Sequence, residues 1–202
     1  MPMPTPDFSA MLRWPKVPAC YGWLSLDQRG RWRMRGEAVS HRGLQDFLNR
    51  QYAHDEDGNY FVQNGPQRVF VDLDYTPWVL HLATPDCFAT QVGEAVSELR
   101  AAGIDEEGNL LLEIPAGIAL LCDRDLPTLL PCLHLANGEV ADDDALLAAI
   151  AQAAGGVNAN ANGLTLVWHA QHLPVRTLQR SDIPKRYGFI ASPQEAPPGV
   201  LP

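Results

Sequence analysis

Between Trp23 and Arg35 the chain alternates apolar and polar residues on either side of Asp27-Gln-Arg-Gly30. That tetrapeptide suits a three-residue hairpin loop, a type I turn followed by a left-handed glycine bulge. Such a loop sets Asp27 opposite Arg31, Leu26 opposite Trp32, Ser25 opposite Arg33, Leu24 opposite Met34 and Trp23 opposite Arg35. Side chains alternate faces along a strand. Leu24, Leu26, Trp32 and Met34 therefore share one face and are expected in the core. Trp23, Ser25, Asp27, Arg31, Arg33 and Arg35 share the solvent face, with an Asp27–Arg31 pair and Arg35 in cation–π reach of Trp23. A two- or four-residue loop would oppose Leu26 to Arg31 and scramble both faces.

The signature returns at Asp105-Glu-Glu-Gly108, where the same loop pairs Ile104 with Leu110 and Ala102 with Leu112. A third copy, Asp55-Glu-Asp-Gly58, is expected to join a helix to a strand. Asp-x-x-Gly is also ordinary turn chemistry, so an internal repeat and independent turns both remain open.

Ser40 is the expected N-cap of a helix running to about Gln51, with Leu44, Phe47 and Leu48 as its apolar stripe. Strands follow over 59–63, 67–73 and 77–82, the first two joined by a tight Asn64-Gly65 turn. Further on, the pattern predicts a strand over 88–92 and three antiparallel strands over 99–104, 109–114 and 117–121. Asp125 is expected to cap a short helix. Acids open a longer helix at Asp142 and Gly155-Gly156 stops it. A polar loop over 158–163 then leads into a closing hairpin, 164–168 with 173–178.

The expected fold is α+β: antiparallel sheets with packed helices in two tightly associated halves, 21–92 and 97–180. Strand-strand-helix-strand motifs would repeat between them. An irregular Pro-rich lead-in (1–20) and an irregular tail (181–202) complete the chain.

Composition changes this picture little. The chain has 202 residues, 46% of them hydrophobic and 19% charged, which suits a soluble globular protein. No apolar run approaches the roughly 20 residues that span a bilayer. The N-terminus has no signal-peptide pattern, so a cytoplasmic location is expected. Cys20, Cys87, Cys122 and Cys132 show no CxxC spacing and read as reduced thiols rather than disulfides or zinc ligands.

Charge is uneven. Residues 1–70 carry +2, residues 71–175 carry −13 and residues 176–202 carry +2, within a total of −9. The acidic middle argues against nucleic-acid binding. Thirteen of the fifteen basic residues are Arg, the planar donor suited to carboxylate or phosphate.

No Walker loop, Gly-x-Gly-x-x-Gly or Gly-x-Ser-x-Gly occurs. His169 and His172 fall on opposite faces of a strand and read as a turn-flanking pair without metal. Asp55-Glu-Asp-Gly58 is too short for a calcium loop. Asp72 and Asp74 share a strand face, where they serve either acid–base work or solvation.

The foremost binding candidate is the stripe Arg31, Arg33 and Arg35, extended by His41 and Arg42 in the first helical turn and by Gln67, Arg68 and Trp78. The plainer reading of that stripe is a solvated edge that discourages edge pairing. Trp23, Trp32 and Trp78 read individually as packing residues.

The run Asp27-x-x-Gly-x-Trp-x-x-x-Gly-x-x-Val-x-His-x-Gly-Leu-x-x-Phe47, then Asp57-Gly-x-Tyr-Phe-Val-x-x-Gly-Pro-x-Arg-Val-x-Val71, resembles the bacterial domain-of-unknown-function family 1285 over residues 21–82. The chain also resembles a related proteobacterial family, family 2944. The resemblance implies repeated strand-helix-strand motifs and a role in ligand sensing or signalling, and it supplies no catalytic residues.

The functional expectation is a non-enzymatic small-ligand-binding or regulatory module that recognises a small anion or a protein partner, without cofactor or metal. One alternative is a hydrolase-type enzyme using Asp72, Asp74 and His81 in a cleft between halves. Another is an interaction protein whose Arg face docks on an acidic partner.

Overall fold

The computed structural model describes residues 17–156 and 160–195. The lead-in before residue 17, the start of the 158–163 loop and the tail beyond 195 lie outside the described residues. The first segment holds β1 (Ala19–Leu26), β2 (Trp32–Met34), β3 (Glu37–Ala38), α1 (Arg42–Gln51), β4 (Tyr52–His54), β5 (Tyr60–Asn64) and β6 (Gln67–Leu73). They form a six-stranded sheet in the order β3-β2-β1-β6-β5-β4.

The second segment holds β7 (Trp78–Thr84), β8 (Cys87–Thr90), β9 (Ala95–Val96), β10 (Ala101–Ile104), β11 (Leu110–Ile114) and β12 (Gly117–Leu121). It continues with α2 (Leu126–Leu129), β13 (Leu133–His134), α3 (Asp143–Ala154), β14 (Asn160–Trp168), β15 (Gln171–Thr177) and α4 (Ile183–Tyr187). Its nine strands run β13-β14-β15-β10-β11-β12-β7-β8-β9.

The first hairpin has the expected register: Leu24 faces Met34, Ser25 faces Arg33 and Leu26 faces Trp32. Leu24, Leu26 and Trp32 are buried, and Met34 packs against them from a half-buried position. The second hairpin pairs Ile104 with Leu110 and Ala102 with Leu112, also as expected. Asp27 departs from the expected solvent face and is buried. Its carboxylate folds back onto its own loop, where backbone N–H groups and arginines replace water.

Three features correct the sequence reading. First, the sheets are mixed, not antiparallel: β1 runs parallel to β6, β10 to β15 and β12 to β7. Each parallel pair joins strands distant along the chain, and hairpin signals report only neighbours. Second, Asp55-Glu-Asp-Gly58 joins no helix to a strand. α1 ends at Tyr52 in an extended conformation and passes straight into β4, so the loop closes a β4–β5 hairpin. Third, β7, β8 and β9 hydrogen-bond into the second sheet, so the sheets divide near Asp74–Pro77 rather than beyond residue 92.

Smaller corrections follow the same logic. His41, not Ser40, caps α1, its Nδ1 accepting the Leu44 N–H at 3.2 Å. The β5–β6 loop is Gly65-Pro66, between the paired Asn64 and Gln67. Residues 160–163 belong to β14 across a bulge, where Asn162 and Gly163 take positive φ. Residues 183–187 are helical, and Ile183 and Phe189 are buried, so the first part of the expected tail belongs to the core.

Five loops among the described residues share one backbone form, starting at Asp27, Asp55, Thr90, Asp105 and Leu135. In each, the glycine three residues on donates its N–H to the first carbonyl at 2.8–3.2 Å. Those glycines, Gly30, Gly58, Gly93, Gly108 and Gly138, all have φ between 72° and 90°. In the three Asp loops the carboxylate Oδ1 also accepts two loop N–H groups, from Arg29 and Arg31, Asp57 and Asn59, or Glu107 and Asn109. This local network explains why so short a signature fixes a register.

Aromatic rings join the two sheets. Tyr52 meets Trp32 edge-on at 5.3 Å and Trp78 at 5.4 Å. Their polar tips are satisfied: Tyr52 donates to the Pro77 carbonyl at 2.9 Å, Trp32 to Asn49 at 2.6 Å and Trp78 to the Ala116 carbonyl at 2.9 Å.

Candidate functional site

The arginine face is largely committed to its own fold. Arg31 Nε lies 2.8 Å from Asp27 Oδ2 and Arg33 Nη2 lies 3.3 Å from the same oxygen. Arg35 sits over the Trp23 ring at 4.9 Å. Arg29, which the sequence reading left out, grips Asp123 through Nε and Nη2 and so ties the first hairpin loop to the second sheet.

Burial alone would push the Asp27 carboxyl up. The N–H groups of Arg31 and Arg29 and the Arg31 guanidinium outweigh it and hold the carboxyl below its ordinary value. A depressed carboxyl contributes stability at pH above its unfolded value of about 4, and loses it as pH falls through the folded value. Asp27→Asn should therefore melt below the unaltered protein at neutral pH, with the gap narrowing below about pH 4. Melting curves between neutral and acidic pH check this; a gap that widens in acid contradicts it.

The remaining candidates do not converge on one site. Gln67 donates to the Val17 carbonyl at 2.5 Å. Arg68 lies over Phe61 at 4.7 Å and 4.0 Å from Asp55. Trp78 is buried in the aromatic cluster. Arg35 and His41 do share a groove of about 490 Å³ between β3 and the start of α1, with Glu37 on the same wall. Arg42 is not among the residues lining that groove.

Asp72, Asp74 and His81 do not form a catalytic set. Asp72 accepts a hydrogen bond from Ser192 at 2.7 Å. Asp74 has its carboxyl pushed up by burial and by Asp27, against Arg33 and Arg180. His81 pairs with neither: its Nδ1 lies 3.7 Å from Asp125. His169 occupies the β14–β15 turn with Nε2 2.9 Å from the Asp86 carbonyl, and His172 lies on the following strand.

A model for the family DUF2944, described as "Protein of unknown function (DUF2946)", matches residues 7–194. The chain belongs to that family. Among solved structures, it is similar to a DUF1285 family protein from Silicibacter pomeroyi DSS-3, at 13% identity and a TM-score of 0.50, over 81% of this chain and 85% of that one. A DUF1285 family protein from Shewanella baltica OS155 aligns at 15% identity and a TM-score of 0.38, over 51% of this chain and 86% of its own. No curated protein matches the chain. At such identities the first of these similarities speaks for the fold. No helix among the described residues is long and apolar enough to cross a membrane.

A cavity of about 440 Å³ lies where β15 ends, walled by Gly156, Leu178, Gln179, Asp182, Lys185 and Arg186. That volume lies within the range of small-molecule sites. Pro184 opens the helix that carries the two cations, and Gln179 is held by its Nε2 donating to the Ala153 carbonyl at 2.7 Å. The sequence reading missed this site because it assigned 181–202 to an irregular tail. The available signal was Asp182-Ile183-Pro184, a helix start, followed by the paired cations Lys185-Arg186.

Proposed function

We propose that this DUF2944 protein is a small-ligand-binding module with a regulatory role, and that its ligand is a small anion held in the cavity at the end of β15. The observation that carries this reading is that two cations wall one cavity of ligand size without a carboxylate partner: Lys185 and Arg186 form no ion pair among the described residues, and Arg186 contacts the Tyr187 ring at 5.9 Å. Asp182 on the same wall favours a ligand that also donates a hydrogen bond, such as a hydroxy acid or a phosphomonoester.

The sheet order supports a repeated unit beneath this function. The run β3-β2-β1-β6-β5-β4 has its counterpart in β12-β11-β10-β15-β14-β13, with the Asp27 and Asp105 loops in matching places. In both units the residue after the closing strand donates back to the first: Asp74 N–H to Leu26 at 3.0 Å, and Leu178 N–H to Ile104 at 2.9 Å.

The test is a thermal-shift screen of phosphates, nucleotides and carboxylates on the whole chain, with hits confirmed by calorimetry. An anion that stabilises the protein should lose that effect in Lys185→Ala and Arg186→Ala and keep it in Arg33→Ala. If the effect survives both cavity substitutions, or falls only with Arg33→Ala, the ligand sits elsewhere and the reading is wrong.

A further inference from the structure

The geometry points to a transition-metal site formed by His81, Cys122 and Asp125, at the seam where the first hairpin loop meets the second sheet. One donor atom from each lies within 4.8 Å of the other two. No loop flexibility is needed to gather them. β7 and β12 are parallel neighbours with Leu80 opposite Leu121, and the Cys122 N–H donates to the Leu80 carbonyl at 2.9 Å. His81 follows Leu80 on β7, and Cys122 is the first residue after β12. Asp125 is brought back by a tight turn in which its N–H donates to the Cys122 carbonyl at 2.9 Å. Its Oδ2 accepts the Leu82 N–H at 3.1 Å and faces His81 Nδ1.

The donor set selects the ion class. A thiol sulfur, an imidazole nitrogen and a carboxylate oxygen form the borderline-soft combination that suits zinc or cobalt, and the sulfur disfavours calcium and magnesium. Tetrahedral coordination with ordinary zinc bond lengths separates ligand atoms by about 3.3–3.8 Å. The cluster is thus within a small side-chain adjustment of closure. The His81 and Asp125 side chains are 36% and 24% exposed while Cys122 is buried. An ion would enter from solvent between the first two and rest on the sulfur, leaving a fourth position for water or a ligand. On binding, the thiol proton leaves to solvent and the sulfur binds as thiolate.

As a thiol, Cys122 Sγ donates to Asp123 Oδ1 at 3.6 Å, a contact given up when the sulfur binds an ion, and Arg29 holds and neutralises Asp123. The loop that carries Arg29 presses on His81: a Cβ at Gly30 would sit 3.2 Å from its Nε2 and 2.6 Å from Gln91 Cβ. Nδ1, 3.7 Å from Asp125 Oδ2, is the nitrogen assigned to the ion. The site is independent of the anion cavity, and all three donors lie on the second sheet or the turn after β12, beside the hairpin loop that Arg29 ties to Asp123.

Titration of the reduced, metal-free whole chain with cobalt(II) tests this assignment. Expected are one equivalent bound, a near-ultraviolet sulfur-to-cobalt charge-transfer band and visible bands of four-coordinate intensity. Zinc should displace the cobalt and bleach both. Cys122→Ser should abolish the charge-transfer band, His81→Gln and Asp125→Asn should each weaken binding about tenfold or more, and Cys87→Ser should change nothing. Absence of the band in the unaltered protein, or its persistence in Cys122→Ser, overturns the proposal. If Cys122→Ser does not fold, unchanged cobalt affinity in both His81→Gln and Asp125→Asn overturns it equally.

Discussion

Asp105→Ala should destabilise the protein by about 3–5 kcal/mol, one buried and three part-buried hydrogen bonds losing their acceptor. For a chain of this size that lowers the melting temperature by about 8–15 °C. Asp105 is 0% exposed, and its carboxylate accepts from Glu107 N–H at 2.9 Å, Asn109 N–H at 2.8 Å, Asn109 Nδ2 at 2.8 Å and the Tyr75 hydroxyl at 2.7 Å. Removing it strands the buried Tyr75 hydroxyl and takes the shared acceptor from the half-buried Asn109. Burial and the hydrogen bond to Asp105 both push the Tyr75 hydroxyl above its ordinary value, so it remains a donor throughout the neutral range.

The Arg180 guanidinium closes this site from outside. It lies over the Tyr75 ring at 4.1 Å, pairs with Glu107 at 2.7 Å and donates to the Asp74 carbonyl at 2.8 Å. Asp55→Ala is the control, because it removes the same loop network where the side chain is 19% exposed and no tyrosine depends on it. About 1–2 kcal/mol is expected there. Urea unfolding of both variants decides the matter: equal losses would mean that the loop network, not the buried junction, carries the stability.

Gly58→Ala should cost about 3–5 kcal/mol, from a strained left-handed alanine together with a backbone collision. Its φ is 82°, and an added Cβ would lie 3.0 Å from Phe189 Cα and collide with the Gly188 carbonyl oxygen. That neighbour is held in place. Ile190 N–H donates to the Gly58 carbonyl at 2.9 Å, and Phe189 is buried. Relief therefore requires the segment after α4 to lift from the β4–β5 hairpin, so the variant should also become more sensitive to proteolysis near residue 190. Gly65→Ala separates the two causes. Gly65 has φ 57° with nothing within 4 Å of an added Cβ, so only the backbone strain of about 1 kcal/mol remains. Similar losses in the two variants would show that the C-terminal contact contributes nothing.

These two predictions mark different depths of legibility. The role of Asp105 as a turn residue is readable from Asp-Glu-Glu-Gly, and so is the pairing of Ile104 with Leu110. Its burial is not, because Tyr75 lies thirty residues away and reaches it only after the second sheet forms. Gly58 reads as a turn glycine; the contact with Gly188 and Phe189 requires the chain to return from its far end. The same holds for the cation pair at Lys185 and Arg186, which an apparently irregular tail concealed. His81 and Cys122 stand in register across a parallel pair that no hairpin signal announces. The arginine stripe was legible as a pattern and less so as a surface, since Asp27 folds inward and holds two of its members.

Legible along the chain were the Asp-x-x-Gly turns, the registers of the hairpins at Asp27 and Asp105, the apolar stripe of α1 and the family resemblance carried by the Gly-x-Trp and Tyr-containing hairpins. Each depends on residues close along the chain, where backbone geometry and side-chain alternation act directly. The tertiary structure alone decided the three parallel strand pairs, the assignment of β7–β9 to the second sheet, the burial of Asp27 and Asp105 and the gathering of His81, Cys122 and Asp125. Those features bring together residues separated by tens of positions. They are fixed when apolar faces find each other and the polar groups trapped between them must find partners.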